Sequence, residues 1–112
     1  MQTKSTDVLW RAALSNKVAD LLRGLAPVSG RALLFGSRAR GDAGEDSDWD
    51  VLFLIDKDDM TSREKSELSY QLWMLGLDYG QDVNAITYTT KEWTKRSFLP
   101  FYKNVMHDGI EL

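Results

Sequence analysis

Two short apolar runs constrain the chain most. Arg31 to Phe35 (RALLF) and Asp48 to Ile55 (DWDVLFLI) each have the length of a buried strand. Between them lie twelve residues, GSRARGDAGEDS, rich in glycine, serine and charge. This intervening stretch reads as a loop. In a strand, side chains alternate between faces. The second run therefore sets Asp48, Asp50, Leu52 and Leu54 on one face and Trp49, Val51, Phe53 and Ile55 on the other.

The rest of the chain supplies partners for those strands. Trp10, Leu14, Val18, Leu21, Leu22 and Leu25 recur at helical spacing, which predicts a helix from about Thr6 to Gly24. Ser5 or Thr6 can cap its start, and Gly24 and Pro27 mark its end. Thr61 and Glu64 form a capping-box pattern that opens a second helix. Its apolar stripe is Leu68, Leu72 and Leu75, with Trp73 and Met74 beside it, and Gly76 and Gly80 close it. Asp82 to Thr89 reads as a third strand. Thr89 and Glu92 repeat the capping box before a short helix around Trp93. Pro100 interrupts, residues 101–106 give one more helical piece, and Ile110 to Leu112 a short edge strand. Trp10, Trp73 and Trp93 are expected to pack, and His107 to lie at the surface. The order predicts an α/β (α+β) chain, with a small mixed β-sheet flanked by helices, as one domain over 1–112.

Composition removes several function classes. Cysteine is absent, so disulfide frameworks, thiolate metal sites and cysteine nucleophiles are excluded. The single histidine, His107, leaves no His-rich zinc site. A net charge of −3 does not suit a domain that tracks duplex phosphates, so no duplex nucleic-acid partner is expected. No apolar run approaches membrane-spanning length, and the amphipathic, charged N-terminus is unlike a signal peptide. No membrane association and a cytoplasmic setting are the expectations.

The chemistry concentrates around the loop. Asp48 and Asp50 point the same way, with Cα atoms about 6.5 Å apart. Two carboxylates that close are mutually unfavourable unless a cation lies between them. Hard divalent cations such as Mg²⁺ take oxygen ligands and pair carboxylates with substrate phosphates. Gly36 lets backbone approach a phosphate, and the following amides with the Ser37 hydroxyl can donate to its oxygens. Asp82 is the obvious third carboxylate, either a metal ligand or the group that takes a proton from an attacking hydroxyl. Competing motifs fail on the letters. Asp42 and Ala43 stand where a P-loop needs Lys and Ser/Thr. Val51 and Lys57 stand where an EF-hand needs Gly and Glu.

Gly36-Ser37, ten residues, then Asp48-Trp49-Asp50 resembles the signature of the DNA polymerase β-like nucleotidyltransferase superfamily. More narrowly, GSRARGDAGEDSDWDVL is similar to the minimal nucleotidyltransferases of bacteria and archaea, matching also at Arg40-Gly41 and Ser47. The C-terminal stretch with Tyr102 and Asn104 before Gly109-Ile110 looks like the end of such proteins. Two departures stand out: Trp49 replaces an aliphatic residue, and Asn84 lies in a strand where apolar residues are commoner. The resemblance implies Mg²⁺-dependent transfer of a nucleoside monophosphate from ATP or another nucleoside triphosphate to an acceptor hydroxyl. Asp48 and Asp50 hold one or two Mg²⁺ ions, and Asp82 binds a metal or activates the acceptor. Gly36 and Ser37 cradle the β/γ-phosphates, and Arg38 or Arg40 neutralises triphosphate charge. It further implies a small helical HEPN-type partner, with this chain as the antitoxin that adenylylates it. Two other readings are a binding module that neutralises such a partner by occlusion, and transfer to a small molecule of the aminoglycoside type.

Overall fold

The structure, a computed structural model, describes residues 5–112. Helix α1 (Ser5–Arg23) is followed by β1 (Gly30–Phe35), a one-turn helix α2 (Ser37–Arg40) and β2 (Trp49–Ile55). Then come α3 (Ser62–Asp78), β3 (Val83–Thr89), α4 (Thr90–Thr94), α5 (Pro100–Asp108) and the two-residue β4 (Ile110–Glu111). The cap expected from Ser5 or Thr6 falls on side chains outside those described.

The four strands form one mixed sheet in the order β3-β2-β1-β4. β1 runs antiparallel to β2 and β4, while β2 and β3 run parallel, joined across α3. The alternation in β2 holds. Trp49, Val51, Phe53 and Ile55 join Ala32, Leu34 and Val83 under Trp10, Leu14 and Val18 of α1 and Leu68 and Leu72 of α3. Leu52 and Leu54 join Leu33 on the opposite face, beneath Trp93 of α4 and Val105 of α5. Burying each such side chain contributes about 1.5–3 kcal/mol, so both layers hold β2 firmly in register.

Both capping boxes are present, with Thr61 and Thr89 each accepting from the backbone N–H three residues on and the Glu returning the bond. Four local expectations change. The stretch after β1 is not all loop: Ser37–Arg40 turn once as helix, because Gly36 accepts the amides of Ala39 and Arg40. Pro100 does not interrupt α5 but starts it, at a position where its missing N–H costs nothing. Gly76 does not end α3. It is buried within the helix, where a Cβ would lie 2.5 Å from the carbonyl oxygen of Gln81 as the chain turns into β3. Trp73 and Met74 do not pack into the core. They are 45% and 43% exposed and form, with Tyr70 and Leu77, an outward apolar stripe on α3.

Candidate active site

β1 ends and β2 begins at the same end of the sheet, because the two strands are antiparallel. Asp50 therefore stands between Phe35 on one neighbouring strand and Asn84 on the other. Asp48 precedes β2 by one residue and is exposed, and Asp50 is half-buried on the same face. Farther along that face Leu52 and Leu54 are covered by helices, so the sheet surface is apolar at one end and open and polar at the other.

Gly36 follows Phe35 directly and backs onto the Asp50 carboxylate. Its φ of 74° and ψ of −157° belong to a region open essentially only to glycine. A Cβ there would lie 2.6 Å from Asp50 Oδ2. No side chain caps α2, which leaves the amides at its start without a side-chain acceptor.

The two arginines separate by role. Arg38 donates from Nε and Nη2 to the Ser47 carbonyl at 3.2 and 2.9 Å, and from Nη2 to the Glu45 carbonyl at 3.1 Å. Its guanidinium also lies over the Trp49 indole. It straps the loop that delivers Asp48. Arg40 pairs with Asp42 at 3.2 Å and lies close enough to Asp50 for its charge to oppose, in part, the rise in that carboxyl's pKa.

Trp49, the departure from the family pattern, anchors the carboxylates from beneath. It is fully buried, packs edge-on against Trp10, and donates from Nε1 to Gln81 Oε1 at 2.9 Å. Its backbone N–H donates to the Asp82 carbonyl at 2.8 Å. Repulsion between two carboxylates about 6 Å apart is on the order of 1–3 kcal/mol at surface dielectrics. Burial of Trp49 and Val51 outweighs it and holds the pair together.

Burial raises the pKa of Asp50, and the Asp48 charge raises it further, against the opposing pull of Arg40. Such a repelling pair, one carboxylate exposed and the other half-buried, fits a hard divalent cation. Among the described residues no three acidic, histidine or cysteine side chains gather into a metal-holding group.

Asp82 sits at the same sheet end with its side chain exposed, and it reaches β2 through its backbone carbonyl. The β3 side chain that contacts the pair is Asn84, whose Nδ2 donates to Asp48 Oδ2 at 3.0 Å. Sequence reasoning missed this role. The available signal was that Asn84 is two residues from Asp82 and so shares its face. The strap of Arg38 was also missed, because it runs to backbone carbonyls that no motif marks.

The comparisons with known proteins agree with this fold. The profile of the nucleotidyltransferase domain family matches residues 15–107. A protein of Methanocaldococcus jannaschii named as a protein adenylyltransferase is 39% identical over 82 residues, 73% of this chain and 77% of that one. A solved minimal nucleotidyltransferase superposes with a TM-score of 0.63 at 25% identity over the whole of both chains. A crystal structure of a toxin–antitoxin with AMP-PNP superposes with a TM-score of 0.59 at 26% identity, over 86% of this chain and 69% of that one. Among the described residues no helix is long and apolar enough to cross a membrane. With most of its length matched and the fold shared, the chain belongs to the nucleotidyltransferase family, as a minimal nucleotidyltransferase of the polymerase β-like fold.

Proposed function

We propose that the protein transfers AMP from ATP, with Mg²⁺, to a hydroxyl on a small helical partner protein, and acts as the antitoxin of that pair. The observation that carries this reading is the Asp48–Asp50 pair set against Gly36 at the open end of the sheet. The name of the Methanocaldococcus jannaschii relative and the AMP-PNP bound in a toxin–antitoxin neighbour support the choice of nucleotide and acceptor.

In this reading Asp48 and Asp50 are the metal ligands, and bound Mg²⁺ supplies Lewis-acid stabilisation of charge on the triphosphate. The Ser37 hydroxyl and the amides that begin α2 receive the β/γ-phosphates. Arg40 rather than Arg38 offsets triphosphate charge, since Arg38 is committed to the loop carbonyls. The acceptor oxygen bonds to the α-phosphorus, the bond from that phosphorus to the bridging oxygen breaks, and pyrophosphate leaves. Asp82, exposed at the same edge, takes the acceptor's proton.

The exposed stripe of Tyr70, Trp73, Met74 and Leu77 on α3 favours one second reading, in which docking alone neutralises the partner. Intact-mass measurement of the partner after incubation with the protein, ATP and Mg²⁺ separates the two. Under the first reading the partner gains one or more AMP units, and Asp48→Asn and Asp50→Asn abolish both the gain and neutralisation. Neutralisation that survives both substitutions without added mass supports docking.

A further inference from the structure

We infer that Asn84 is a positioning residue that fixes Asp48 and, by holding an uncharged amide beside the carboxylate pair, makes cation binding depend on the nucleotide. The inference rests on the metal-binding reading of Asp48 and Asp50. Three observations carry it. Asn84 is in register with Asp50 across the parallel β2–β3 pairing. Its side chain crosses to Asp48 rather than to Asp50, with Nδ2 3.0 Å from Oδ2. No third acidic side chain joins the pair among the described residues.

The chemistry fixes the sense of this bond. An ionised carboxylate only accepts, so the atom of Asn84 that meets Asp48 is the amide nitrogen. That bond occupies one lone pair of Oδ2 and orients the carboxyl group, and it leaves Oδ1 uninvolved. The local charge is then two carboxylates, with Arg40 close to one of them. Mg²⁺ gives up its waters reluctantly and is ordinarily held by one or two carboxylates plus substrate phosphates. A pair partly satisfied by an amide and an arginine draws a bare ion weakly. It completes a coordination shell only when triphosphate oxygens arrive with the ion. An aspartate at position 84 would set a third negative charge within hydrogen-bond distance of Asp48, an arrangement that a bound divalent cation relieves.

The test titrates Mn²⁺ by electron paramagnetic resonance into the full chain, alone and with a non-hydrolysable ATP analogue. The variants are Asn84→Asp, Asn84→Ala, Asp48→Asn and Asp50→Asn. Circular dichroism checks the fold of each, and position 84 is exposed. The wild type is expected to bind Mn²⁺ at least tenfold more tightly with the analogue than without it. Asn84→Asp is expected to tighten binding without analogue about tenfold or more, shrinking that difference. Asn84→Ala is expected to weaken binding with analogue several-fold, through loss of Asp48 orientation. An Asn84→Asp protein that binds Mn²⁺ alone within twofold of wild type overturns the inference. Nucleotide-dependent binding that persists in Asp48→Asn and Asp50→Asn instead overturns the metal-site reading, so the two failures are distinct.

Discussion

The guanidinium carbon of Arg38 lies 4.5 Å from the centre of the Trp49 indole, while the same group donates to the carbonyls of Glu45 and Ser47. One side chain thus ties the end of the loop to the residue between the two aspartates. Arg38→Ala is expected to cost about 1–3 kcal/mol, the usual range for bonds made by a charged donor. Arg38→Lys is expected to recover little, since an ammonium lacks the planar fork. Arg40→Ala is expected to melt like wild type and to raise KM for the nucleotide about tenfold, a loss of about 1.4 kcal/mol. Thermal unfolding and steady-state kinetics of the three variants check this split. Equal stability losses for Arg38→Ala and Arg40→Ala would contradict it.

Gly36→Ala introduces a methyl group into the Asp50 carboxylate and places a non-glycine residue in a glycine-only conformation. The backbone term alone costs about 1–3 kcal/mol. Displacing Asp50 by about 1 Å is expected to lower transfer about a hundredfold or more. Gly41→Ala serves as the control. Its φ is also positive, but nothing lies within 4 Å of an added Cβ, so it is strained without moving a carboxylate. Stability losses of similar size with a far larger loss of transfer at Gly36 are the expected pattern.

Asp50→Asn is expected to abolish transfer and to raise Tm by a few degrees in metal-free buffer. Burial and the Asp48 charge both oppose ionisation of Asp50, and together they outweigh the pull of Arg40. A carboxyl with a raised pKa favours the fold when protonated, and that contribution is lost as pH rises through its folded pKa. The amide removes this loss at neutral pH. Scanning calorimetry in the presence of a chelator measures it, and a lower Tm for Asp50→Asn would count against the electrostatic account.

Glu64 contributes to the pH dependence of stability in acid. Its carboxyl is held at about 2, below the ordinary 4.5, first by the hydrogen bond from Lys57 and then by the backbone N–H of Thr61. A lowered pKa contributes stability that is complete above about pH 4.5 and disappears as pH falls toward 2. Glu64→Gln keeps a group able to cap Thr61 but removes the charge. The Tm difference between wild type and Glu64→Gln is therefore expected to be largest above pH 4.5 and to close on acidification. Glu92 is held low by the same kind of cap and by Lys65, so Glu92→Gln should show a difference that closes in the same direction.

Much of this architecture is legible in the letters because its signals are local. The α1 stripe of Trp10, Leu14 and Val18 needs only helical spacing, and the two faces of β2 need only alternation. The capping boxes at Thr61 and Thr89 are each complete within four residues. What stays hidden depends on pairing across long stretches of chain. β3 reaches β2 in parallel only after α3, so no local pattern sets Asn84 opposite Asp50. Arg38 was one of two equal candidates for the phosphates, because its actual partners are carbonyls and carbonyls carry no letter of their own. Trp73 misled because an indole at helical spacing looks the same whether it faces the core or solvent.

The alternation of β2 also decides where this enzyme tolerates a change in length. Between Gly41 and Gly44 an inserted residue enlarges a surface loop upstream of the carbonyls that Arg38 grips, and what it disturbs is the Arg40–Asp42 pair and the Gly44–Ser47 bond. A residue deleted inside Trp49–Ile55 rotates everything before it by half a turn. The indole would then swing into solvent, and the carboxylates would be driven toward the helices beneath the sheet. A change of length is therefore absorbed in that loop at the expense of local bonds, whereas the strand beside it has no slack at all.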